Sequence, residues 1–116
     1  MKKICFDIDN VICKTKFNNK YHKSKPIKKN INLINKLYDK GFIIILYTAR
    51  YMGRCKGDIK KVEKLIKPLT LKQLRDWKVK YHDIHFGKPS FDLFIDDKSL
   101  FFKKGWSKLL KEKLKI

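Results

Sequence analysis

Four short apolar runs, each followed at once by polar residues, constrain the fold of this chain more than any other feature. The two stronger runs are Lys3–Asp7 and Phe42–Tyr47, and weaker ones cover Ile84–Phe86 and Phe91–Ile95. Apolar residues without alternating polar positions are typical of strands that are buried on both faces, as in a parallel sheet. The chain is therefore predicted to contain four such strands.

Helical periodicity fills the segments between these runs. Apolar residues spaced three and four apart predict a first helix with Pro26 in its first turn. A second helix is predicted to begin at an Asp58 cap and to end at Pro68. Thr70, with Gln73 three residues later, matches the capping-box pattern and predicts a separate short helix.

The order of these elements predicts an α/β fold. Residues 14–25 and 51–57 lack periodicity and are expected to be loops, and an amphipathic helix is expected from Ser107. A chain of 116 residues can build one buried core. We expect residues 1–116 to form a single Rossmann-like α/β domain, with a mostly parallel sheet flanked by helices and no separate cap domain.

Polar residues gather where the predicted strands end. In an open α/β sheet, ligands bind outside the carboxyl ends of the strands. Several carboxylates at one edge are unfavourable unless a cation balances them, and hard oxygen ligands suit Mg²⁺. Lysine and threonine at the same edge of the sheet are suited to bind a phosphoryl group. The residues at these strand ends are Asp7, Asp9, Thr48, Arg50, Lys88, Asp96 and Asp97.

These residue types indicate a reaction. A carboxylate can attack a phosphoryl group and form an acyl-phosphate, which divides a difficult hydrolysis into two easier steps. A second carboxylate two residues later can protonate the leaving oxygen and then deprotonate the attacking water. Mg²⁺ and lysine would offset the negative charge that repels an anionic nucleophile from a phosphate.

Four sequence motifs resemble those of the haloacid dehalogenase superfamily of phosphohydrolases. They are F-D-I-D-N-V-I, L-Y-T-A-R, G-K-P and F-I-D-D-K, in that order, and they lie between Lys3 and about Phe102. The resemblance implies that Asp7 is the nucleophile and Asp9 the general acid and base. It also implies that Thr48 binds the transferring phosphoryl group, and that Lys88 neutralises that group and orients the nucleophile.

The resemblance further implies a substrate site and a metal site. Arg50 is expected to reach the substrate, although the motif itself assigns it no role. The implied substrate-binding residues are Thr48, Ala49, Arg50 and Lys88. The implied Mg²⁺ ligands are the Asp7 carboxylate, the Asp9 main-chain carbonyl, Asp96, and Asp97 directly or through a water.

The lengths between motifs narrow the expected subgroup. Residues 10–25 are too few for an inserted cap domain in this superfamily, so the chain resembles a capless member. T-A-R followed by a basic, glycine-containing loop is similar to small bacterial phosphatases of capsule and surface-polysaccharide biosynthesis. The implied activity is Mg²⁺-dependent hydrolysis, through an aspartyl-phosphate, of a small phosphorylated metabolite such as a sugar or polyol phosphate. Residues 14–25, residues 51–57 or a second copy of the chain would cover the open site.

The charge of +19 allows a different partner, nucleic acid. The basic residues are 27 lysines and only three arginines, while Ile occurs 14 times and Ala once. This bias is typical of an AT-rich genome, whereas readers of bases and phosphates favour arginine. Nucleic-acid binding is therefore not favoured. Two alternative functions remain: a nucleic-acid 3′-phosphatase or nucleotidase, and a non-catalytic basic binding module.

The cysteines and the apolar runs indicate the cellular compartment of the protein. Three cysteines without C-x-x-C spacing argue against a disulfide framework and against a zinc site, and Cys5 is expected to pack in the core. Asp7 and Asp9 interrupt any signal-peptide core, and the longest apolar run, Phe42–Tyr47, is too short to cross a bilayer. We therefore expect a cytoplasmic protein without a membrane partner.

Overall fold

A three-stranded parallel sheet forms the centre of the structure, a computed structural model that describes residues 2–16 and 20–116. Its strands lie in the order β1-β4-β5, and β2 and β3 form a separate antiparallel pair. This confirms the predicted α/β fold. The strands are β1 (Lys3–Asp7), β2 (Cys13–Lys14), β3 (Lys25–Pro26), β4 (Ile43–Thr48) and β5 (Asp83–Phe86).

Three α-helices flank the sheet, and the described residues place no separate cap domain beside it. Apolar side chains of β4, such as Ile44 and Leu46, share one buried cluster with Leu37 and with Leu110. Within the part of the chain that the structure describes, no helix is long and apolar enough to cross a membrane. The helices are α1 (Lys28–Asp39), α2 (Ile59–Asp76) and α3 (Trp106–Leu114), with a 3-10 turn at Tyr21–Lys23.

The strand register aligns the polar ends of the three parallel strands. Asp7 lies opposite Tyr47, and Thr48 lies opposite Phe86. The backbone N–H of Lys88 then donates to the Thr48 carbonyl at 3.1 Å. The carboxyl ends of β1, β4 and β5 therefore meet at one edge of the sheet, as the sequence predicts.

Pro68 does not end a helix, contrary to the prediction. It lies inside α2, which continues from Ile59 to Asp76. Proline removes one backbone N–H, so the carbonyl of the exposed Lys64 loses its partner and can bond to water instead. Thr70 is not a helix cap either, because its hydroxyl donates back to the Ile66 carbonyl at 2.9 Å.

The predicted strand Phe91–Ile95 is not a strand. The segment is irregular, and Leu93 and Ile95 are 78% and 88% exposed. The rings of Phe91 and Phe94 stack with centroids 5.0 Å apart. Residues three apart in an extended strand point to opposite faces and cannot make this contact. The apolar pattern therefore identified side chains suited to a strand but could not show whether a neighbouring strand pairs with them.

The predicted loop at residues 14–25 contains regular structure at both ends. Lys14 pairs with Lys25, and Cys13 pairs with Pro26, in the β2–β3 ribbon. Pro26 is consequently a strand residue, and α1 begins only at Lys28. Residues 17–19 of this predicted loop lie outside the described residues.

Cys5 is exposed, which corrects the expectation that it packs in the core. It lies on β1, and β1 is at one end of the strand order. Side chains of such a strand are covered less completely than those of the central strand β4. The short apolar run predicted the strand correctly but not its position in the sheet.

Candidate active site

Asp7 and Lys88 come together at the sheet edge. Lys88 Nζ lies 3.1 Å from Asp7 Oδ2, and the other carboxylate oxygen of Asp7 accepts from the backbone N–H of Ile8 at 2.8 Å. The Asp7 side chain is 36% exposed, against 17% for Lys88. The predicted nucleophile is therefore partly open to solvent and held by two donors, one of them the predicted phosphoryl-binding lysine.

Burial raises the pKa of the Asp7 carboxyl above its ordinary value. The charge of Lys88, its hydrogen bond and the Ile8 N–H oppose this change, and the nearby charge of Asp9 adds to it. A poorly solvated carboxylate attacks more readily, because less bound water must be removed from it before it reacts. Asp7 thus combines access with weak solvation, as a carboxylate nucleophile requires.

Gly87 places Lys88 at this edge. Its φ is +98°, in the region that favours glycine, and a Cβ built there would lie 2.9 Å from Ile59 Cδ1. Ile59 is exposed and can yield, so backbone strain is the main cost of any larger residue. The turn between β5 and Lys88 therefore requires glycine.

We expect Gly87→Ala to lower the free energy of unfolding by about 1–2 kcal/mol, because alanine is strained at positive φ. The substitution should also reduce activity by displacing Lys88. Gly53→Ala is the matched control, since Gly53 has no atom within 4 Å of a built Cβ and no positive φ. Urea denaturation of both variants measures the free energy of unfolding. Equal values for the Gly87→Ala and Gly53→Ala variants would show that a side chain at position 87 causes no strain.

Thr48 and Ala49 follow β4 at the same edge. Thr48 is fully buried, and its hydroxyl oxygen accepts from the Arg50 backbone N–H at 3.1 Å. Ala49 is half-buried, and its carbonyl accepts from Met52 N–H at 3.0 Å. The structure therefore places these two of the four predicted substrate-binding residues at the sheet edge, with the Thr48 hydroxyl covered.

The Arg50 side chain points inward, toward Asp9 and α2. Its side chain is fully buried, and its Nε lies 3.0 Å from Asp9 Oδ2. Nη1 donates to Thr70 Oγ1 at 3.1 Å and to Gln73 Oε1 at 2.7 Å. The guanidinium also lies 4.7 Å from the centre of the Tyr21 ring. Its Nε, Nη1 and Nη2 groups all donate to side chains around Asp9, so the structure gives Arg50 a role in orienting Asp9, and its expected contact with the substrate stays a prediction.

Asp9 is held from two sides. Besides Nε, Arg50 Nη2 donates to Asp9 Oδ1 at 3.0 Å. The Thr15 hydroxyl donates to the same oxygen at 2.6 Å, and Thr15 Oγ1 lies 2.7 Å from Ser24 Oγ. The predicted general acid and base therefore has a fixed orientation, set by the buried arginine and by the β2–β3 ribbon.

The two predicted covering loops meet over Arg50. The rings of Tyr21 and Tyr51 lie with centroids 5.6 Å apart, and Gln73 Nε2 donates to the Tyr21 carbonyl at 2.6 Å. Burial raises the pKa of the Tyr21 hydroxyl, so it stays protonated. These contacts bring residues 20–25 and 51–57 together beside Asp9, although they do not by themselves close the site.

The partners of Arg50 were not predicted from the sequence. Thr70 and Gln73 matched a helix cap, but both are buried on the side of α2 that carries Val62 and Ile66. The sequence did contain a signal for this contact, because two polar residues lie within an apolar helix face. Buried polar groups need hydrogen-bond partners. Thr15 had no such signal, since its contact with Asp9 depends on how the ribbon folds back.

The structure does not bring the four predicted metal ligands together. Among residues 2–16 and 20–116, no three or more His, Cys, Asp or Glu side chains are placed to hold a metal ion. The Asp9 carboxylate is paired with Arg50, which leaves its main-chain carbonyl as the predicted ligand, and Asp96 and Asp97 are exposed in the irregular segment after β5. The magnesium site at these four residues therefore stays a prediction.

Cys13 lies close to the site but is not suited to nucleophilic chemistry. Its Sγ is 3.6 Å from Asp9 Oδ1 and 3.7 Å from Arg50 Nη2. Burial, with the nearby Asp9 charge, raises the pKa of the Cys13 thiol. The thiol therefore stays protonated and acts as a packing group and weak donor.

Solved structures show what this fold is similar to, whereas no protein-family model and no curated protein sequence matches the chain. A structural-genomics target from Vibrio cholerae superposes with a TM-score of 0.80 at 24% identity, over 97% of this chain and 99% of that one. The D,D-heptose 1,7-bisphosphate phosphatase from B. bronchiseptica, complexed with magnesium and phosphate, gives a TM-score of 0.53 at 17% identity.

The second comparison covers 100% of this chain and 65% of the B. bronchiseptica phosphatase. Identities this low establish a shared fold and leave activity open. The chain therefore shares its fold with these two solved structures, one of which is a phosphatase.

Proposed function

We propose that this protein is a phosphomonoester hydrolase that uses Asp7 as its nucleophile. The observation that carries the proposal is the Asp7–Lys88 pair at the carboxyl end of a parallel sheet, with Lys88 Nζ 3.1 Å from the carboxylate. A solvent-accessible carboxylate beside an ammonium group is suited to attack a phosphoryl group, whose charge the ammonium stabilises. The fold shared with a phosphatase supports this reaction class.

The proposed reaction has two steps. A carboxylate oxygen of Asp7 attacks phosphorus, the bond to the substrate oxygen breaks, and that oxygen leaves as an alcohol after gaining a proton. Water then attacks the aspartyl-phosphate and loses a proton, which releases phosphate and restores Asp7. Asp9 is the proposed proton carrier in both steps because it lies two residues from Asp7 and its orientation is fixed by Arg50 and Thr15.

The proposed activity requires magnesium, and no position is assigned to the ion. The B. bronchiseptica phosphatase, which shares this fold, was crystallised with magnesium and phosphate, and Asp7 offers a partly exposed carboxylate at the sheet edge of this chain. A divalent cation would neutralise charge on the phosphoryl oxygens. Chelation should therefore abolish turnover.

The proposed substrate is a small phosphorylated metabolite, such as a sugar or polyol phosphate of surface-polysaccharide biosynthesis. The support is the likeness of the T-A-R segment and its basic loop to phosphatases of that kind, together with the absence of a cap domain beside the described sheet. Phosphate release from sugar phosphates, polyol phosphates, nucleotides and 3′-phosphorylated oligonucleotides, with Mg²⁺ or EDTA, tests this. Magnesium-dependent release from a sugar or polyol phosphate is expected, and strict preference for the oligonucleotide would contradict the substrate class.

We expect Lys88→Met to lower kcat/KM about 10²-fold, because one charged donor to the phosphoryl group is lost. Lys88 also lowers the pKa of Asp7 through its charge and hydrogen bond. Its removal should raise that pKa further, so the acidic limb of the pH profile should move to higher pH. The exposed Lys104→Met is the control, and an unshifted acidic limb would show that Lys88 does not set the ionisation of Asp7.

A further inference from the structure

Two phenylalanine rings lie against Lys88, the proposed phosphoryl-binding lysine. Lys88 Nζ is 5.4 Å from the centre of the Phe91 ring and 5.9 Å from the centre of the Phe94 ring. Both distances are within the range of a cation–π contact. The two rings stack on each other with centroids 5.0 Å apart and an angle of 24° between their planes. We call Phe91 and Phe94 the aromatic pair.

The ammonium group of Lys88 joins the aromatic pair to the candidate active site. Lys88 Nζ also lies 3.1 Å from Asp7 Oδ2, so the Asp7 carboxylate and both rings are arranged around one nitrogen atom. A phosphoryl group that is attacked by Asp7 and neutralised by Lys88 lies at that nitrogen. The part of the substrate that follows the ester oxygen is then close to the aromatic pair.

The aromatic pair is not part of the hydrophobic core. Phe91 is 43% exposed and Phe94 is 52% exposed. Neither ring belongs to the two buried apolar clusters that the described residues form. Exposed apolar groups beside a few polar side chains are typical of ligand-binding surfaces, where the ligand covers them. The aromatic pair therefore offers an apolar contact surface next to the reacting group.

The local sequence keeps the aromatic pair beside Lys88. Pro89 fixes its own φ and restricts the backbone of Lys88 to extended conformations. Phe91 follows three residues after Lys88, and its ring lies against the Lys88 side chain. Phe94 follows three residues after Phe91 and stacks on it. The short segment that brings Lys88 to the sheet edge therefore brings the aromatic pair there as well.

We infer that the aromatic pair binds the sugar ring of the substrate, and that the preferred substrate is a cyclic sugar phosphate rather than an open-chain polyol phosphate. The inference rests on the proposed function, because it assumes that the phosphoryl group lies at Asp7 and Lys88. The face of an aromatic ring carries partial negative charge. The C–H bonds on one face of a sugar ring are slightly positive and pack against it, whereas an open chain loses conformational entropy when it is held flat.

The position of the aromatic pair suits a sugar ring better than a nucleobase. In a sugar phosphate, the ring is joined to the ester oxygen directly or through one carbon, so it lies beside Lys88 when the phosphoryl group does. In a nucleotide the ribose occupies this place and the base lies farther away. Because both rings contact Lys88 itself, they are placed to bind the group next to the phosphate.

A matched pair of substrates tests the inference. Glucose 6-phosphate and glucitol 6-phosphate carry the phosphate on the same carbon, and only the first closes into a ring. Both are measured with Mg²⁺ and the native protein, the double variant Phe91→Leu and Phe94→Leu, or the control Phe101→Leu, which replaces another exposed ring. We expect the native protein to have an about tenfold lower KM for glucose 6-phosphate.

The double variant should lose most of this difference in KM with little change in kcat, since leucine keeps an apolar side chain beside Lys88. The control should keep the difference. Equal KM values for the two substrates in the native protein would overturn the inference. Equal losses on both substrates in the double variant, or a loss of kcat alone, would also overturn it, because the rings would then only hold Lys88 in place.

A binding measurement separates this inference from the proposed function. Calorimetric titration of glucose 6-phosphate into Asp7→Asn protein should show binding, whether or not the native protein turns over, and the added Phe91→Leu and Phe94→Leu substitutions should weaken it about tenfold. No binding, or binding that these substitutions leave unchanged, would overturn the inference. Adenosine 5′-monophosphate that binds more tightly than ribose 5-phosphate, by a margin the double variant loses, would overturn it in favour of a nucleobase.

Discussion

Arg50→Met should lower both the stability and the activity of this protein. The substitution leaves the Asp9 carboxylate, Thr70 and Gln73 without their shared donor. Breaking a buried ion pair costs about 3–5 kcal/mol, and the partial exposure of Asp9 reduces the expected loss to about 2–4 kcal/mol. Since Asp9 is then free to turn, kcat should fall about 10²-fold while KM changes little.

Arg54→Met is the matched control for this substitution. Arg54 lies in the same loop, is exposed and packs over Tyr51 at 4.8 Å from the ring centre. Arg50→Lys should give an intermediate result, because one ammonium group cannot reach Asp9 and Gln73 at once. Urea denaturation and kinetics check these outcomes. A change in KM alone would instead support the sequence-based expectation that Arg50 contacts the substrate.

Asp7→Asn should abolish turnover without lowering thermal stability at neutral pH. Loss of a nucleophile typically costs about 10³-fold or more in kcat. The carboxyl pKa of Asp7 is raised mainly by burial, so the charged form destabilises the folded protein. Below the ordinary pKa of 3.8 the Asp7 carboxyl is protonated whether or not the protein is folded, so this destabilisation is absent. The destabilisation grows as the pH rises from 3.8 through the raised pKa of the folded protein.

The melting temperatures of native and Asp7→Asn protein should therefore differ with pH. The variant should melt at the same temperature as the native protein or higher at pH 7, and its advantage should shrink as the pH approaches 3.8. Differential scanning calorimetry over this range checks the sign. A variant that melts well below the native protein at pH 7 would show that the Asp7 carboxylate stabilises the fold.

The sheet edge was predictable because it depends on local patterns and on one general rule. Two strong apolar runs predicted β1 and β4, a weaker run predicted β5, and parallel strands place their carboxyl ends on one side. The meeting of Asp7, Thr48 and Lys88 follows from these three runs and this rule. The pairing distance between Asp7 and Lys88 could not be predicted, because it depends on the turn at Gly87.

The errors occurred where tertiary contacts decide the outcome. Pro68 stays within a helix because the helix packs along its length and Thr70 bonds back to Ile66. Phe91–Ile95 has the composition of a strand, but strands need a partner and the described segment has none. The inward direction of Arg50 could not be predicted either, because the motif gives only its place after the threonine. Its direction depends on two residues of α2 that are far away in the sequence.

Phosphate release by native and Asp7→Asn protein, with one sugar phosphate and Mg²⁺ at equal protein concentration, decides whether Asp7 is the nucleophile. The native protein should release phosphate steadily until EDTA is added, and the variant should release none above background. The unchanged melting temperature of the variant would show that the loss is chemical. Equal release by the two proteins would contradict the role of Asp7 as the nucleophile and with it the proposed function.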